Sequence, residues 1–180
     1  MNQKNLVFIA TSIDGYIADR NGGVEWLQKF SGAGDDDMGY ARFISETDAI
    51  LMGRKTFETV LGFGIDWPYQ KPVFVLSRTL ESVSKELSDR VFPVNGTLPE
   101  VLDRIHGKGY GRLYIDGGKT ISSFLREDLI DEMIITIIPV LLGGGYRLFS
   151  ELPEMLEFEV VETKSYQNRA IQCRYRRKGR

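Results

Sequence analysis

The sequence predicts a single α/β domain on a mostly parallel sheet, with helices on both faces and an antiparallel C-terminal edge. Three observations predict it. Short apolar runs of strand length alternate with segments of helical spacing from the N-terminal region through Ile138. Beyond Glu157, polar and apolar residues alternate instead, as they do in strands with one face in water. A chain of 180 residues with 42% hydrophobic content can bury one core, and no repeat, low-complexity tract or linker divides it.

The expected strands are Leu6 to Ala10, Ala49 to Met52, Val73 to Leu76, Leu113 to Ile115 and Met133 to Ile138. Each is too short for a helix and too continuously apolar for a surface strand. The expected helices are Met38 to Glu46, Lys55 to Leu61, Leu80 to Leu87, Leu98 to Ile105 and Thr120 to Arg126. Thr97, followed by Pro99 and Glu100, makes a helix start with Thr97 as N-cap. Glu157 to Lys164 and Ala170 to Arg177, joined by Ser165 to Arg169, read as a hairpin on the sheet edge.

Composition narrows the function classes. With 23 basic and 25 acidic side chains and a net charge of -2, the chain has no general field for drawing in nucleic acid or a membrane surface. The basic run Arg174, Arg176, Arg177, Lys178 and Arg180 reads as a solvated terminal strand. Cys173 is the single cysteine, so neither an intrachain disulfide nor a cysteine metal cluster can form, and the reducing cytosol is the expected compartment. No metal is expected. His106, also single, precedes Gly107 and reads as a capping or surface residue. The apolar run Leu6 to Ala10 is too short for a signal-peptide core or a membrane span.

Glycine loops carry the functional signal. In open α/β sheets, ligands gather beyond the carboxyl ends of the strands, where helix N-termini expose free N–H groups. Gly53-Arg54-Lys55-Thr56 directly follows a strand and opens a helix. Gly53 lets the backbone approach a phosphate, Arg54 and Lys55 bring charge, and Thr56 brings a hydroxyl. Asp116-Gly117-Gly118-Lys119-Thr120 repeats that logic after Leu113 to Ile115. Ser77-Arg78, at the end of Val73 to Leu76, is a third candidate grip. Each loop also admits a plain reading: ordinary strand-to-helix turn glycines, or an N-cap serine beside a solvated arginine. Neither glycine loop has the spacing of a Walker loop or of GxGxxG, so kinase and standard dinucleotide-fold readings fit poorly.

Taken in order, several blocks resemble the dihydrofolate reductase-like superfamily. They are Ser12 to Ala18, Trp26, Met52 to Thr56, Leu76 to Arg78, Asp116 to Gly118, Leu129 to Glu132, Pro139 to Gly145 and Leu148-Phe149. The block from Pro139 to Gly145 is similar to the riboflavin-biosynthesis reductase branch, here free-standing, since the zinc ligands of the deaminase partner domain are absent. The resemblance implies an eight-stranded mixed sheet, parallel except for its last strand, and NADPH as cofactor. It also implies hydride delivery to a C=N carbon. The implied substrate is 5-amino-6-(5-phosphoribosylamino)uracil or a related heterocycle. By the same resemblance, Gly53, Arg54, Lys55 and Thr56 bind the pyrophosphate and adenosine-phosphate side, and Ser77 and Arg78 take the 2′-phosphate. Gly117, Gly118, Lys119 and Thr120 cradle the pyrophosphate. Ala10 and Ile17 present backbone to the nicotinamide carboxamide, and the loop from Asp14 to Val24 closes over the ring. A homodimer is implied as well.

On the substrate side, Asp37 has the spacing before Gly53 that dihydrofolate reductases use for their substrate carboxylate, and Thr136 is similar in position to its threonine partner. Asp35, Asp36 and Asp37 equally make an ordinary helix start that complements the macrodipole, and Thr136 equally reads as a packed strand residue. Glu25 before Trp26, and Gln70-Lys71-Pro72 where folate enzymes place an arginine, depart from the folate pattern; lysine lacks the guanidinium fork. The Gly143 to Gly145 loop suits close approach to a phosphate or sugar, or simply reverses the chain. Dihydrofolate or pterin reduction is the second enzymatic expectation. A non-catalytic, dimeric nucleotide-binding protein is the expectation from another class.

Overall fold

The computed structural model describes residues 3–29, 37–166 and 170–179. The chain opens with β1 (Lys4–Ser12) and β2 (Tyr16–Ala18), followed by a 3-10 turn at Glu25–Lys29 and α1 (Tyr40–Ser45). Then come β3 (Ala49–Gly53), α2 (Arg54–Leu61), β4 (Val73–Leu76), β5 (Val91–Val94) and α3 (Leu98–Gly107). The chain continues through β6 (Arg112–Asp116), α4 (Gly118–Arg126), β7 (Glu132–Ile138), β8 (Tyr146–Arg147), β9 (Phe158–Tyr166) and β10 (Ala170–Arg177).

Eight strands form one sheet in the order β5-β4-β3-β6-β1-β7-β10-β9. The pairs from β5 to β7 are all parallel; β10 runs antiparallel to both β7 and β9. The expected mixed, mostly parallel sheet with an antiparallel C-terminal edge is therefore present. Parallel neighbours require crossovers that bury both faces, and two apolar clusters result. One packs α3 and α4 through Val101, Ile105, Ile121 and Phe124 onto Val7, Leu51, Leu113 and Ile115. The other packs Phe43 of α1 and Phe57 of α2 onto Leu6, Ile50, Met52, Val73 and Tyr114.

Besides the short paired strands β2 and β8, which no expected strand covers, three segments differ from the sequence expectation. The expected helix from Leu80 to Leu87 is irregular except for a 3-10 turn at Lys85–Leu87. Its apolar residues Leu80, Val83 and Leu87 still pack against the second cluster, while Ser82, Val83 and Ser84 favour helix weakly. The short strand β5 was not expected. It contains Pro93 but lies at the sheet edge, where a missing N–H costs no ladder bond. Helix α1 begins at Tyr40 rather than Met38, because Met38 (φ 53°) and Gly39 (φ 87°) are left-handed and cannot belong to it.

The expected cap of α3 is complete. The Glu100 amide donates to Thr97 Oγ1 at 3.5 Å, and the Glu100 carboxylate accepts from the Thr97 amide at 2.8 Å. His106 sits at the far end of this helix, its Nδ1 2.7 Å from the Tyr110 carbonyl. The basic run on β10 meets carboxylates: Arg174 pairs with Glu132, Arg176 with Glu159 and Arg177 with Asp128. No described helix is long and apolar enough to cross a membrane.

Candidate active site

The carboxyl ends of β1, β3, β4, β5 and β6 open into one cleft of 1560 Å³. Its size exceeds the roughly 300–1,000 Å³ that holds a drug-sized ligand and suits a dinucleotide beside a second molecule. All twelve expected cofactor residues line it: Ala10, Ile17, Gly53, Arg54, Lys55, Thr56, Ser77, Arg78, Gly117, Gly118, Lys119 and Thr120.

The two glycine loops fit against each other. A Cβ on Gly53 would stand 2.8 Å from the Thr120 hydroxyl, and a Cβ on Gly117 (φ 90°) would overlap the Thr56 hydroxyl. Each glycine thus admits the threonine of the other loop. The reciprocity brings the N-termini of α2 and α4 side by side, with their free N–H groups on the same cleft. Gly118 is equally confined, since a Cβ there would meet Ile17 Cδ1 at 2.8 Å and the Arg147 carbonyl at 2.9 Å.

Arg54 extends from α2 to Glu58 at 2.6 Å and to Thr79 Oγ1 at 2.6 Å, which sets its guanidinium beside Ser77 and Arg78. Ser77 Oγ accepts from the Leu80 amide at 3.0 Å, so the serine turns the chain and keeps its own proton available for donation. Lys55 reaches across to Tyr146, its ammonium 3.9 Å from the ring centroid.

The loop after β1 is fastened to the Gly143 to Gly145 turn. Asp14 accepts from Ser12 Oγ at 2.6 Å and from the Leu142 and Gly143 amides at 3.1 and 2.8 Å. The Ser12 hydroxyl, with these amides, holds its carboxyl below the usual carboxylate range. Arg20 donates to the Gly143 carbonyl at 3.0 Å, and β2 pairs with β8. Gly145 (φ 136°) lies so close to Ala18 and Asp19 that any Cβ would overlap their backbone. These glycines serve the loop that bears Ile17.

The two residues expected on the substrate side lie elsewhere. Asp37 is exposed, and its carboxylate accepts from the Gly39 and Ala41 amides at 2.9 and 2.5 Å, capping α1. Thr136 is buried and accepts from Gln172 Nε2 at 2.9 Å; Gln172 also donates to the Met38 carbonyl at 3.0 Å. Neither lines the cleft. Asp35 and Asp36 lie outside the described residues.

Three carboxylates line the cleft, Glu100, Glu127 and Asp116, and the one at the end of a central strand, β6, is Asp116. In sequence it is the residue before a glycine turn, and its place as the last strand residue beside Gly117 is the signal that marks it. Burial pushes its carboxyl up to about 6, against the Gly117 amide and the Tyr114 hydroxyl, which favour the charged form. Tyr40, Tyr69 and Tyr114 surround it, and their hydroxyls are pushed up by burial and by the Asp116 charge, Tyr40 to about 12. Tyr114 donates to the Phe8 carbonyl at 3.0 Å, and Phe8 and Tyr40 meet edge to face at 5.6 Å.

Residues 4–172 match the model of the RibD C-terminal domain. The chain belongs to this family. It is 35% identical over 177 residues to the uncharacterized protein YwjB of Bacillus subtilis strain 168, covering 97% of this chain and 98% of YwjB. A solved structure from Shewanella sp. PV-4, provisionally assigned to riboflavin biosynthesis, superposes with a TM-score of 0.95 at 47% identity, covering 98% of this chain and 99% of that one. Two further likenesses lie at the level of fold. The deaminase/5-amino-6-(5-phosphoribosylamino)uracil reductase of Thermotoga maritima gives a TM-score of 0.76 at 16% identity over 98% of this chain and 57% of that one. Enterococcus faecalis dihydrofolate reductase, complexed with NADP(H), gives 0.64 at 16% identity over 97% and 96%.

Proposed function

We propose that this RibD C-terminal domain protein is an NADPH-dependent reductase that delivers hydride to a C=N carbon of a heterocycle related to the pyrimidine ribosylamine of riboflavin biosynthesis. The observation that carries the reading is the reciprocal fit of Gly53 with Thr120 and Gly117 with Thr56. It leaves two helix N-termini and an Arg54–Ser77–Arg78 cluster on one cleft, a donor set suited to a pyrophosphate and one further phosphate. The nicotinamide, when bound, supplies the hydride. The chain's own residues then hold and orient. Ser77 and Arg78 grip the 2′-phosphate, the α2 and α4 N-termini take the pyrophosphate, and Ala10 and Ile17 border the ring.

Asp116 is the acid of this site. Its carboxyl, near 6, suits proton exchange with the substrate nitrogen close to neutral pH. A carboxylate placed beside the cofactor side of an open cleft tells against a purely nucleotide-binding role, and the position of Asp37 outside the cleft tells against folate. The homodimer forms through the C-terminal hairpin, where Val160 and Val161 of edge strand β9 stay exposed.

Calorimetric titration with NADPH and NADH tests the cofactor half of the reading. NADPH binds more tightly by about tenfold or more, the worth of one charge-assisted hydrogen bond of roughly 1.5–3 kcal/mol, and Arg78→Ala removes most of that preference. Absence of binding by either nucleotide would sink the proposal.

A further inference from the structure

The two halves of the cleft differ in charge. Its cationic lining consists of Arg54, Lys55, Arg78, Lys119 and Arg147 among the described residues. Arg54 and Lys55 open α2, Arg78 follows β4, Lys119 lies in the first turn of α4 and Arg147 on β8, on the side proposed for the cofactor phosphates; Glu100 of α3 and Glu127 after α4 line the cleft as well. Three of the five cations are already engaged: Arg54 with Glu58 and Thr79, Lys55 with Tyr146, and Arg147 over the Tyr16 ring at 4.9 Å.

The other half is lined by Phe8, Tyr40, Tyr69, Tyr114 and Asp116, with Val24, Leu27 and Phe63 completing it. No described lysine or arginine belongs to this set, and no described cation pairs with Asp116. A phosphate carries about -1.5 to -2 charges at neutral pH. Placed here, it would meet the Asp116 carboxylate and a Tyr114 hydroxyl already given to the Phe8 carbonyl, with no described cation to offset its desolvation. A flat ring with N–H groups meets what the walls provide: aromatic faces and edges, and an acceptor in Asp116 whose charge lacks a cation.

From this asymmetry we infer that the substrate half of the cleft takes a planar, unphosphorylated heterocycle whose N–H groups point at Asp116, and that it selects against the phosphorylated form of the same compound. The inference rests on the NADPH-reductase reading, and its test separates the two. With the full chain, NADPH binding is measured first; its absence overturns the reading and the inference together. With NADPH bound, 5-amino-6-ribosylaminouracil and its 5′-phosphate are compared by calorimetry and by NADPH oxidation. The expected result is that the unphosphorylated compound binds or turns over at least about tenfold better, and that Asp116→Asn loses most of that binding whereas Asp116→Glu retains part of it. Equal use of both compounds, preference for the phosphate, or binding of neither beside bound NADPH overturns the inference and leaves the cofactor assignment standing.

Discussion

Asp37 caps the start of α1 at the surface, whereas Asp116 ends β6 inside the cleft. Asp37 has the spacing of a substrate carboxylate, yet its oxygens are taken by the Gly39 and Ala41 amides in front of α1. Asp37→Asn should therefore leave turnover within about twofold and cost stability of about 1 kcal/mol, the worth of a helix cap, read from urea denaturation. Asp116 is the opposite case. Its folded pKa of about 6 lies above the unfolded value of 3.8, so the protonated acid is the form that folding favours. The contribution is complete below the unfolded value and is lost as pH rises through about 6. At pH 8 the chain carries a poorly solvated carboxylate among Tyr40, Tyr69 and Tyr114. Asp116→Asn should then raise stability at pH 8 by about 2 kcal/mol and change it little at pH 4, while activity falls. Equal stability of both proteins at pH 8 would remove this account.

At the scale of elements, the segment from Asp14 through β2 to Arg20 is held by the turn before β8 as well as by Thr11 and Ser12 of β1. The Asp14 carboxylate and the Arg20 guanidinium are the fastenings, and Gly145 allows the close approach to Ala18. Because Gly145 combines φ 136° with backbone overlap, Gly145→Ala should lower the melting temperature and weaken NADPH binding together, as the loop bearing Ile17 shifts off the cleft. The penalty should exceed about 1 kcal/mol. A variant with normal NADPH affinity would show that the loop does not shape the cofactor site. The same scale explains the misread segment from Leu80 to Leu87. It has apolar residues at helical spacing, but they dock on the second cluster from an irregular backbone, because periodicity reports which residues are buried and not how the chain between them is hydrogen bonded.

For the whole molecule, the sheet ends in two different ways. On one side, edge strand β5 carries Pro93, which blunts pairing with another chain. On the other, β9 is exposed along nearly its whole length, with Val160 at 61% and Val161 at 40% exposure. Sedimentation velocity should find a dimer, and the double substitution Val160→Glu with Val161→Glu should shift it to a monomer. An unchanged sedimentation coefficient for that variant would place the interface elsewhere.

The sheet class, the antiparallel end, the Thr97 cap and the glycine loops with their cations are legible in the chain before it folds, because they depend on local chemistry: side-chain period, turn residues and strand-to-helix junctions. Tertiary structure alone decided that Gly53 opposes Thr120 and Gly117 opposes Thr56, and that Gly143 to Gly145 clamp a neighbouring loop. It likewise decided that Asp116, rather than Asp37, faces the cleft. Those pairings join residues tens of positions apart, and burial and distance, which set a carboxyl's charge and a glycine's necessity, exist only once the parallel strands have brought their carboxyl ends together.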